Sequence, residues 1–154
     1  MAVRQIVKEG DEALTKVCRP VTAYDKKLRQ LVDDMKQTLK KADGLGLAAP
    51  QVGVLRRLFI FVDDDEQMKE VINPVITAAE GEQEATEGCL SVPGVWGKTL
   101  RPAKVTVEGF DVDGNPVSYT RTGITAVCFC HETDHLDGKL FRIHVTEYVD
   151  YEER

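Results

Sequence analysis

The segment CFCHETDHLDG, residues 128–138, carries two histidines four positions apart, with an acid directly after the first. If the segment is helical, His131 and His135 lie on one face and can bind the same ion. Two neutral imidazoles that hold a divalent metal, with Glu132 as the base for a metal-bound water, form the H-E-x-x-H arrangement. The alternative is a pair of helical histidines that only make hydrogen bonds, and the adjacent acids favour the metal site.

A catalytic metal usually has three protein ligands and one open position, so a third ligand is needed. The metzincin pattern would place a histidine three residues after Gly138, but Phe141 stands there. Glu152 and Glu153 are acids downstream of the motif, but they lie near the end of the chain, where order is often lost. The sequence therefore favours an upstream ligand over a metallopeptidase site with a downstream one.

Two upstream segments can complete the site. EGCLSVPG, residues 87–94, contains Cys89, and a thiolate with two imidazoles suits Zn²⁺ or Fe²⁺. GLGLAAPQVG, residues 44–53, is rich in glycine and alanine, so another chain could approach its backbone closely, and its Gln51 can donate from an amide. Taken alone, the second segment is equally typical of a loop that ends a helix.

The elements that must position these segments predict an α+β fold. Apolar spacing predicts an amphipathic helix at about residues 25–41, and the frame of Thr122, Gly123 and Gly138 predicts a second helix over residues 124–137. Mixed or antiparallel strands are expected between and around them. The predicted strands are residues 56–64, 69–80 (weakened or placed at an edge by Pro74), 103–111 and 116–123, the last two joined by an Asp-Gly turn.

Size and composition limit the class of protein. The chain has 154 residues, 42% of them hydrophobic and 30% charged, so we expect one globular domain over residues 1–154. The net charge of −6 argues against a general nucleic-acid or membrane binder. No apolar run reaches the roughly 18–20 residues that span a bilayer, and no signal-peptide pattern is present, so we expect a cytoplasmic protein with reduced cysteines.

The three segments together resemble the peptide deformylases. The family patterns are G-x-G-x-A-A-x-Q, E-G-C-L-S and H-E-x-D-H, and each is complete here in the family's order and spacing. They correspond to Gly44, Gly46, Ala48, Ala49 and Gln51, to Glu87, Gly88, Cys89, Leu90 and Ser91, and to His131, Glu132, Asp134 and His135. The likeness covers nearly the whole chain. One departure is Cys130, which replaces the usual Gln and is expected to face away from the metal with a modest effect on packing.

The resemblance implies an enzyme that removes the formyl group from N-formylmethionine of newly made polypeptides and releases formate. It implies that Cys89, His131 and His135 hold the metal and that Glu132 moves the proton. It also implies that the side chain of Gln51 and the backbone N–H of Leu90 stabilise the oxyanion. The rival functions are a zincin-like metallopeptidase and a non-enzymatic, metal-stabilised binding module, for which neither Glu132 nor Gln51 would be needed.

The substrate's methionine side chain is expected beside the metal. Ile124, Val127 and Cys128 lie on the stripe of the helix that faces His131, with plain core packing as the alternative. The resemblance adds Leu45 and Leu90 to the same pocket. It also implies that the backbone of residues 44–46, with the bare Gly44 and Gly46, pairs with the nascent peptide like an extra strand.

The resemblance further implies an ion pair between Glu87 and Arg101 that steadies the cysteine loop, with a surface pair of no consequence as the alternative. It implies one divalent metal ion: Fe²⁺ is common in the family, and Zn²⁺ or Ni²⁺ can occupy the site. The expected partners are N-formylmethionyl nascent peptides, with no nucleic acid or membrane bound. Some relatives use a longer C-terminal helix for a transient ribosome contact, a role that the acidic VDYEER tail, residues 149–154, cannot be assumed to share.

Overall fold

The computed structural model describes residues 2–150, which form two α-helices, two antiparallel sheets and three short 3-10 helices. The α+β class expected from the sequence is confirmed. The helices are α1 (Lys26–Ala42) and α2 (Gly123–Leu136), and the 3-10 helices are Glu12–Thr15, Ala49–Val52 and Phe141–His144. The strands are β1 (Gly46–Ala48), β2 (Leu58–Val62), β3 (Met68–Glu80), β4 (Gln83–Cys89), β5 (Val92–Arg101), β6 (Lys104–Phe110), β7 (Pro116–Thr122) and β8 (Val145–Val149).

Helix α1 begins and ends at residues suited to those positions. The side chain of Asp25 accepts a hydrogen bond from the backbone N–H of Leu28, which caps the helix start. At the other end Asp43 adopts a left-handed conformation, and its N–H reaches the carbonyls of Leu39 and Lys40. The apolar stripe predicted from the spacing is buried: Leu28, Leu31, Val32, Met35 and Leu39. The chain then turns directly into β1, so α1 fixes the start of the glycine-rich segment.

The five-stranded sheet has the order β1-β2-β3-β6-β7, and the three-stranded sheet has the order β4-β5-β8. Strand β1 is therefore an edge of the first sheet, and β4 is an edge of the second. The two edges carry two of the three sequence motifs, since β1 contains Gly46 and β4 ends at Cys89.

Two effects were predicted for Pro74, a weakened strand or a strand at a sheet edge, and the edge position is wrong because β3 lies between β2 and β6. Pro74 instead falls where the β3–β6 register shifts, between Ile72 and Val75. A proline is tolerated in an interior strand at such a bulge because no ladder hydrogen bond needs its missing N–H. The predicted hairpin is present as β6 and β7, which pair from Lys104–Thr122 to Phe110–Pro116.

Helix α2 crosses the core rather than lying on the surface. Phe129 packs edge-on against Phe61 of β2, with ring centroids 4.9 Å apart. Cys130 is buried in the same cluster and is not among the residues that line the main cavity. Because α2 is buried on nearly all sides, it has no single polar face, and its ends are recognised from the sequence by glycines rather than by amphipathic spacing. Within residues 2–150, no helix combines the length and apolarity needed to cross a membrane.

Candidate active site

All three sequence motifs meet at one cavity of about 510 Å³. Its floor includes α2, and its walls include the edge strands β1 and β4 together with the turn and strand that follow β4. The lining residues are 43–46, 51, 86–90, 92–96, 124, 127, 128, 131 and 132. The downstream acids Glu152 and Glu153 lie outside the described residues.

Three side chains in this region are close enough to share one cation. The Sγ of Cys89 and one ring nitrogen each of His131 and His135 all lie within 4.8 Å of one another. The distance from Cys89 Sγ to His135 Nε2 is 3.4 Å. Ligands of one tetrahedral Zn²⁺, with bonds of about 2.0–2.3 Å, lie roughly 3–4 Å apart. The three residues therefore fit a single mononuclear metal centre.

The orientation of His131 is set by a buried carboxylate. Its Nδ1 lies 2.9 Å from Oε1 of Glu87, so its Nε2 is left to face the cation position. Glu87 also accepts hydrogen bonds from Arg101 Nε at 2.7 Å, Arg101 Nη2 at 3.0 Å and Thr99 Oγ1 at 2.5 Å. Burial would raise the pKa of Glu87, but the contacts with His131 and Arg101 lower it to about 2. Glu87 therefore remains a carboxylate.

The ion pair between Glu87 and Arg101 is buried. The alternative interpretation, a pair on the protein surface, is therefore excluded. The two side chains are each only 4% exposed. Loss of either partner would leave the other as an uncompensated buried charge, and Glu87 lies two residues from Cys89. That the pair steadies the cysteine loop stays a prediction.

Two residues with no role predicted from the sequence, Asp134 and His144, extend this network. Arg101 Nη1 donates to Oδ2 of Asp134 at 3.0 Å, and Nε2 of His144 lies 3.3 Å from the same oxygen. Asp134 therefore links α2 to β5, and the third histidine of the chain joins the network at its outer end. The only feature of the sequence that pointed to these contacts was Asp134, the acid inside H-E-x-D-H, because its partners Arg101 and His144 lie outside that motif.

The site favours a cation electrostatically. Burial alone would lower the pKa of His131, but its contacts with Cys89 and Glu87 raise it to about 10. Burial, followed by the neighbouring charge of His131, lowers the pKa of His135 to about 3. The carboxylate of Glu87, which favours a proton on His131, would also favour a divalent cation at the other nitrogen of the ring.

Glu132 is a buried carboxyl group beside the two histidines. Its Oε1 has no hydrogen-bond partner among residues 2–150. Burial raises its pKa to about 7, with the charge of His131 acting in the opposite direction. A carboxyl group with a pKa near neutrality can both take and return a proton.

Small residues in the first motif make room for the protein's own side chains. A Cβ added at Gly46 would lie 2.7 Å from Oε2 of Glu132 and 2.6 Å from Sγ of Cys128. A Cβ at Gly44 would lie 2.9 Å from Cδ1 of Leu90. The close approach predicted for these glycines is therefore made by side chains of α2 and of the β4–β5 turn. Pairing of a peptide with the β1 edge stays a prediction.

The amide of Gln51 is held in a defined orientation. Its Oε1 accepts from the N–H of Ala48 at 3.0 Å, which turns Nε2 toward Ser91 Oγ at 3.1 Å and Cys89 Sγ at 3.6 Å. Leu90 lies in the turn between β4 and β5, and both residues line the cavity.

The residues expected to bind methionine all line the cavity. Ile124 and Leu45 are 66% and 49% exposed, so core packing does not explain them. Val127 and Cys128 lie deeper, and burial, together with the charge of Glu132, holds the pKa of the Cys128 thiol well above its usual range. The wall beside the metal position is therefore apolar and uncharged.

A cysteine and two histidines around one cation position, with a buried carboxyl group beside them, define the class of metal-dependent hydrolases of the H-E-x-x-H type. Comparison with known proteins narrows this class. The polypeptide deformylase family model matches residues 3–150. The chain belongs to the polypeptide deformylase family.

Named relatives and solved structures agree. Peptide deformylase 2 of Clostridium acetobutylicum is 50% identical over 150 residues, which cover 97% of this chain and 99% of the relative. Peptide deformylase of Acetivibrio thermocellus is 47% identical, covering 99% and 89%. The crystal structure of a peptide deformylase from Legionella pneumophila superposes with a TM-score of 0.89 at 42% identity, covering 94% of this chain and 86% of that one. These relatives favour a deformylase over the metallopeptidase and the binding module.

Proposed function

We infer that the chain is a hydrolase that removes the N-formyl group from N-formylmethionine of newly made polypeptides and releases formate. The observation that carries this inference is that ligand atoms of Cys89, His131 and His135 lie within 4.8 Å of one another, at a cavity that Glu132 also lines, in a chain from the deformylase family. The N-formylmethionyl peptide is therefore the substrate partner.

In this proposal Cys89, His131 and His135 hold one divalent ion. When bound, the ion supplies Lewis acidity. This would lower the pKa of a water molecule toward neutrality and attract negative charge. Thiolate and imidazole ligands accept Fe²⁺, Zn²⁺ and Ni²⁺, and we propose Fe²⁺ as the native ion.

Glu132 moves the proton. Its carboxylate accepts a proton from the attacking water, whose oxygen forms a bond to the formyl carbon. As the C–N bond breaks, Glu132 delivers that proton to the leaving nitrogen, so the products are formate and a free α-amine. The burial of Glu132 supports this role, since water does not compete for the proton during the transfer.

Gln51 and Leu90 provide donors for the formyl oxygen as negative charge develops on it. The amide Nε2 of Gln51 is already turned toward Cys89 by the bond that its Oε1 accepts from Ala48. Donors placed before the reaction need no reorganisation, and each is worth roughly 3–4 kcal/mol in comparable sites.

The methionine side chain lies against the apolar wall in this proposal. Leu45, Leu90, Ile124, Val127 and Cys128 supply that wall, and an unbranched side chain fits between them. The peptide backbone pairs with residues 44–46, since β1 is an edge strand of its sheet.

Three broader expectations complete the proposal. Residues 1–154 form one catalytic domain, which is supported by a family match that spans residues 3–150. The enzyme works in the cytoplasm, because its substrates are newly made chains. A transient ribosome contact would bring it to them, but residues 151–154 of the acidic tail lie outside the described residues.

The function is tested by anaerobic purification, elemental analysis and formate release from formyl-Met-Ala-Ser. We expect one transition-metal ion per chain and formate release, with no cleavage of internal peptide bonds. An enzyme that cleaves internal bonds but leaves the formyl group in place would overturn the proposal.

Replacement of Glu132 by alanine tests the proton transfer. We expect kcat to fall by about 10²–10⁴-fold because the attacking water loses its base. The metal content should remain at one ion per chain, since Glu132 is not a ligand. A Glu132→Ala enzyme that works near the normal rate would refute the assignment.

A further inference from the structure

A short segment near the start of the chain, residues 7–9, lies against the two loops that contain the first and second sequence motifs. The backbone N–H of Val7 donates to the carbonyl of Gln51 at 2.8 Å. Two residues further on, the backbone N–H of Glu9 donates to the carbonyl of Ser91, also at 2.8 Å. We call residues 7–9 the N-terminal strap. The strap therefore contacts both loops at once.

The two loops belong to different sheets. Gln51 follows β1 of the five-stranded sheet, and Ser91 lies in the turn between β4 and β5 of the three-stranded sheet. Both residues are buried, and the Nε2 of Gln51 donates to the Oγ of Ser91 at 3.1 Å. Since a buried carbonyl group needs a hydrogen-bond donor, the strap stabilises each loop at the point where the two loops meet.

The bonds of the strap alternate along it. In an extended backbone, successive N–H groups point to opposite sides, so those of Val7 and Glu9 face the loops together. The N–H of Lys8, between them, has no hydrogen-bond partner among residues 2–150. Lys8 is therefore a control position inside the same segment.

The end of the strap is held from the other side by Arg142. Its guanidinium donates to both carboxylate oxygens of Glu9, from Nε at 2.5 Å and from Nη2 at 2.8 Å. Arg142 directly follows Phe141, whose ring stacks on that of His131 with the centroids 5.9 Å apart. The strap is thus fixed between the two loops and a 3-10 helix that contacts a proposed metal ligand.

We propose that Val7 and Glu9 are positioning residues for deformylation, because their backbone N–H groups hold the two loops that supply the oxyanion donors at a fixed separation. The donors are the side-chain amide of Gln51 and the backbone N–H of Leu90, the residue before Ser91. The proposal rests on the proposed deformylase function, which gives these donors their role. Neither Val7 nor Glu9 lines the cavity, so both act through the loops and not on the substrate.

Backbone esters test the proposal, because replacing one peptide N–H by oxygen removes a single donor and keeps the side chain. Cys18 makes this practical, since a synthetic peptide of residues 1–17 can be ligated to a recombinant chain that begins at Cys18. The ester is placed at residue 7, at residue 9 or, as the matched control, at residue 8. The reference is the same ligated chain with only amide bonds, and all chains are refolded and loaded with zinc.

We expect the esters at residues 7 and 9 each to lower kcat for formyl-Met-Ala-Ser by about 3- to 10-fold, the effect of one hydrogen bond on a rate. KM should change by less than about 2-fold, because oxyanion donors act mainly on the transition state. Zinc content should stay at one ion per chain, and the ester at residue 8 should leave kcat unchanged. An unchanged kcat with the ester at residue 7 or 9 overturns the inference, as does an equal loss with the ester at residue 8.

A Gln51→Ala background separates positioning from a merely structural role. If the strap acts through the amide of Gln51, the ester at residue 7 should cost less than about 2-fold once that amide is gone, since the two changes remove the same interaction. A loss as large as in the wild-type background would mean that the strap only stabilises the fold, and would overturn the inference.

Glu9→Ala decides the question where an ester chain does not refold, because it removes only the exposed contact with Arg142. We expect kcat to fall by about 2- to 3-fold with KM unchanged. The control is Glu12→Ala, which removes an exposed acid of the 3-10 helix that follows the strap and should keep the full rate. Equal kcat in Glu9→Ala and Glu12→Ala would overturn the inference. A wild-type enzyme that does not deformylate formyl-Met-Ala-Ser would overturn the proposed function, and the inference with it.

Discussion

The two histidines of α2 lie one helical turn apart, yet their surroundings differ. His131 contacts Glu87, and through it a network of ionic contacts that includes Arg101, Asp134 and His144. His135 is fully buried, and its Nδ1 has no hydrogen-bond partner among residues 2–150. One proposed ligand is therefore oriented by charge and the other by packing.

The difference shows that two proposed ligands on one buried helix can be positioned by different kinds of contact. A carboxylate beside a metal-binding imidazole fixes its tautomer and increases its basicity. His131 receives this support through β4 and β5, so its position depends on contacts between a helix and the three-stranded sheet. His135 depends on the core around α2, including the aromatic cluster that begins at Phe129. Substitutions along the ionic network should therefore weaken the metal centre in a graded way.

The largest effect is expected from Glu87→Gln, which keeps the shape of the side chain and removes its charge. His131 would lose its carboxylate partner and Arg101 would be left buried with a weaker one. We expect metal affinity to fall by about 10–100-fold, as for other partners of metal-bound histidines. The measurement is a competition titration with a chromophoric chelator. Wild-type affinity in Glu87→Gln would mean that His131, like His135, is positioned by packing alone.

An intermediate effect is expected from Asp134→Asn. Asp134 accepts from Arg101 at 3.0 Å but is 23% exposed, so water can replace part of the contact. We expect metal affinity to fall by a few-fold, about 1 kcal/mol or less, because partly exposed ion pairs are weak. The same titration applies, and a loss larger than that of Glu87→Gln would contradict a network centred on His131.

The smallest effect is expected from His144→Phe at the outer end of the network. His144 is 38% exposed and lies 3.3 Å from Asp134. Removal of this contact should change metal affinity by less than about 3-fold, since an exposed pair at the outer end of the network contributes only a fraction of about 1 kcal/mol. Metal release measured by stopped-flow mixing with a chelator is sensitive enough to detect it. Metal release that is much faster from His144→Phe than from the wild-type protein would contradict this order, because it would mean that the exposed end of the network stabilises the metal centre most.

The sequence predicted those features that depend on local pattern. The spacing of Leu28 through Leu39 predicted α1, and the Asp-Gly turn predicted the hairpin of β6 and β7. The three motifs predicted which side chains meet in the cavity, because each motif is a short segment with a recognisable composition. The family likeness was needed to assign roles to them.

Features set by long-range register could not be predicted in the same way. Asp134 and Arg101 are 33 positions apart, and only the packing of α2 against the three-stranded sheet brings them together. A side chain at position 46 would collide with side chains of α2, and a side chain at position 88 would collide with the indole of Trp96 on the neighbouring strand. The edge position predicted for the strand of Pro74 was wrong, because the neighbours of β3 in the sheet cannot be read from its own sequence. A pattern within one segment does not contain these relations.

The central claim is that one thiolate and two imidazoles share a single cation. Metal-edge X-ray absorption of the zinc-loaded protein tests it most directly. The account predicts one sulfur at about 2.3 Å and two imidazole nitrogens at about 2.0–2.1 Å from the zinc. A spectrum without a sulfur neighbour, or with only one imidazole, would contradict it.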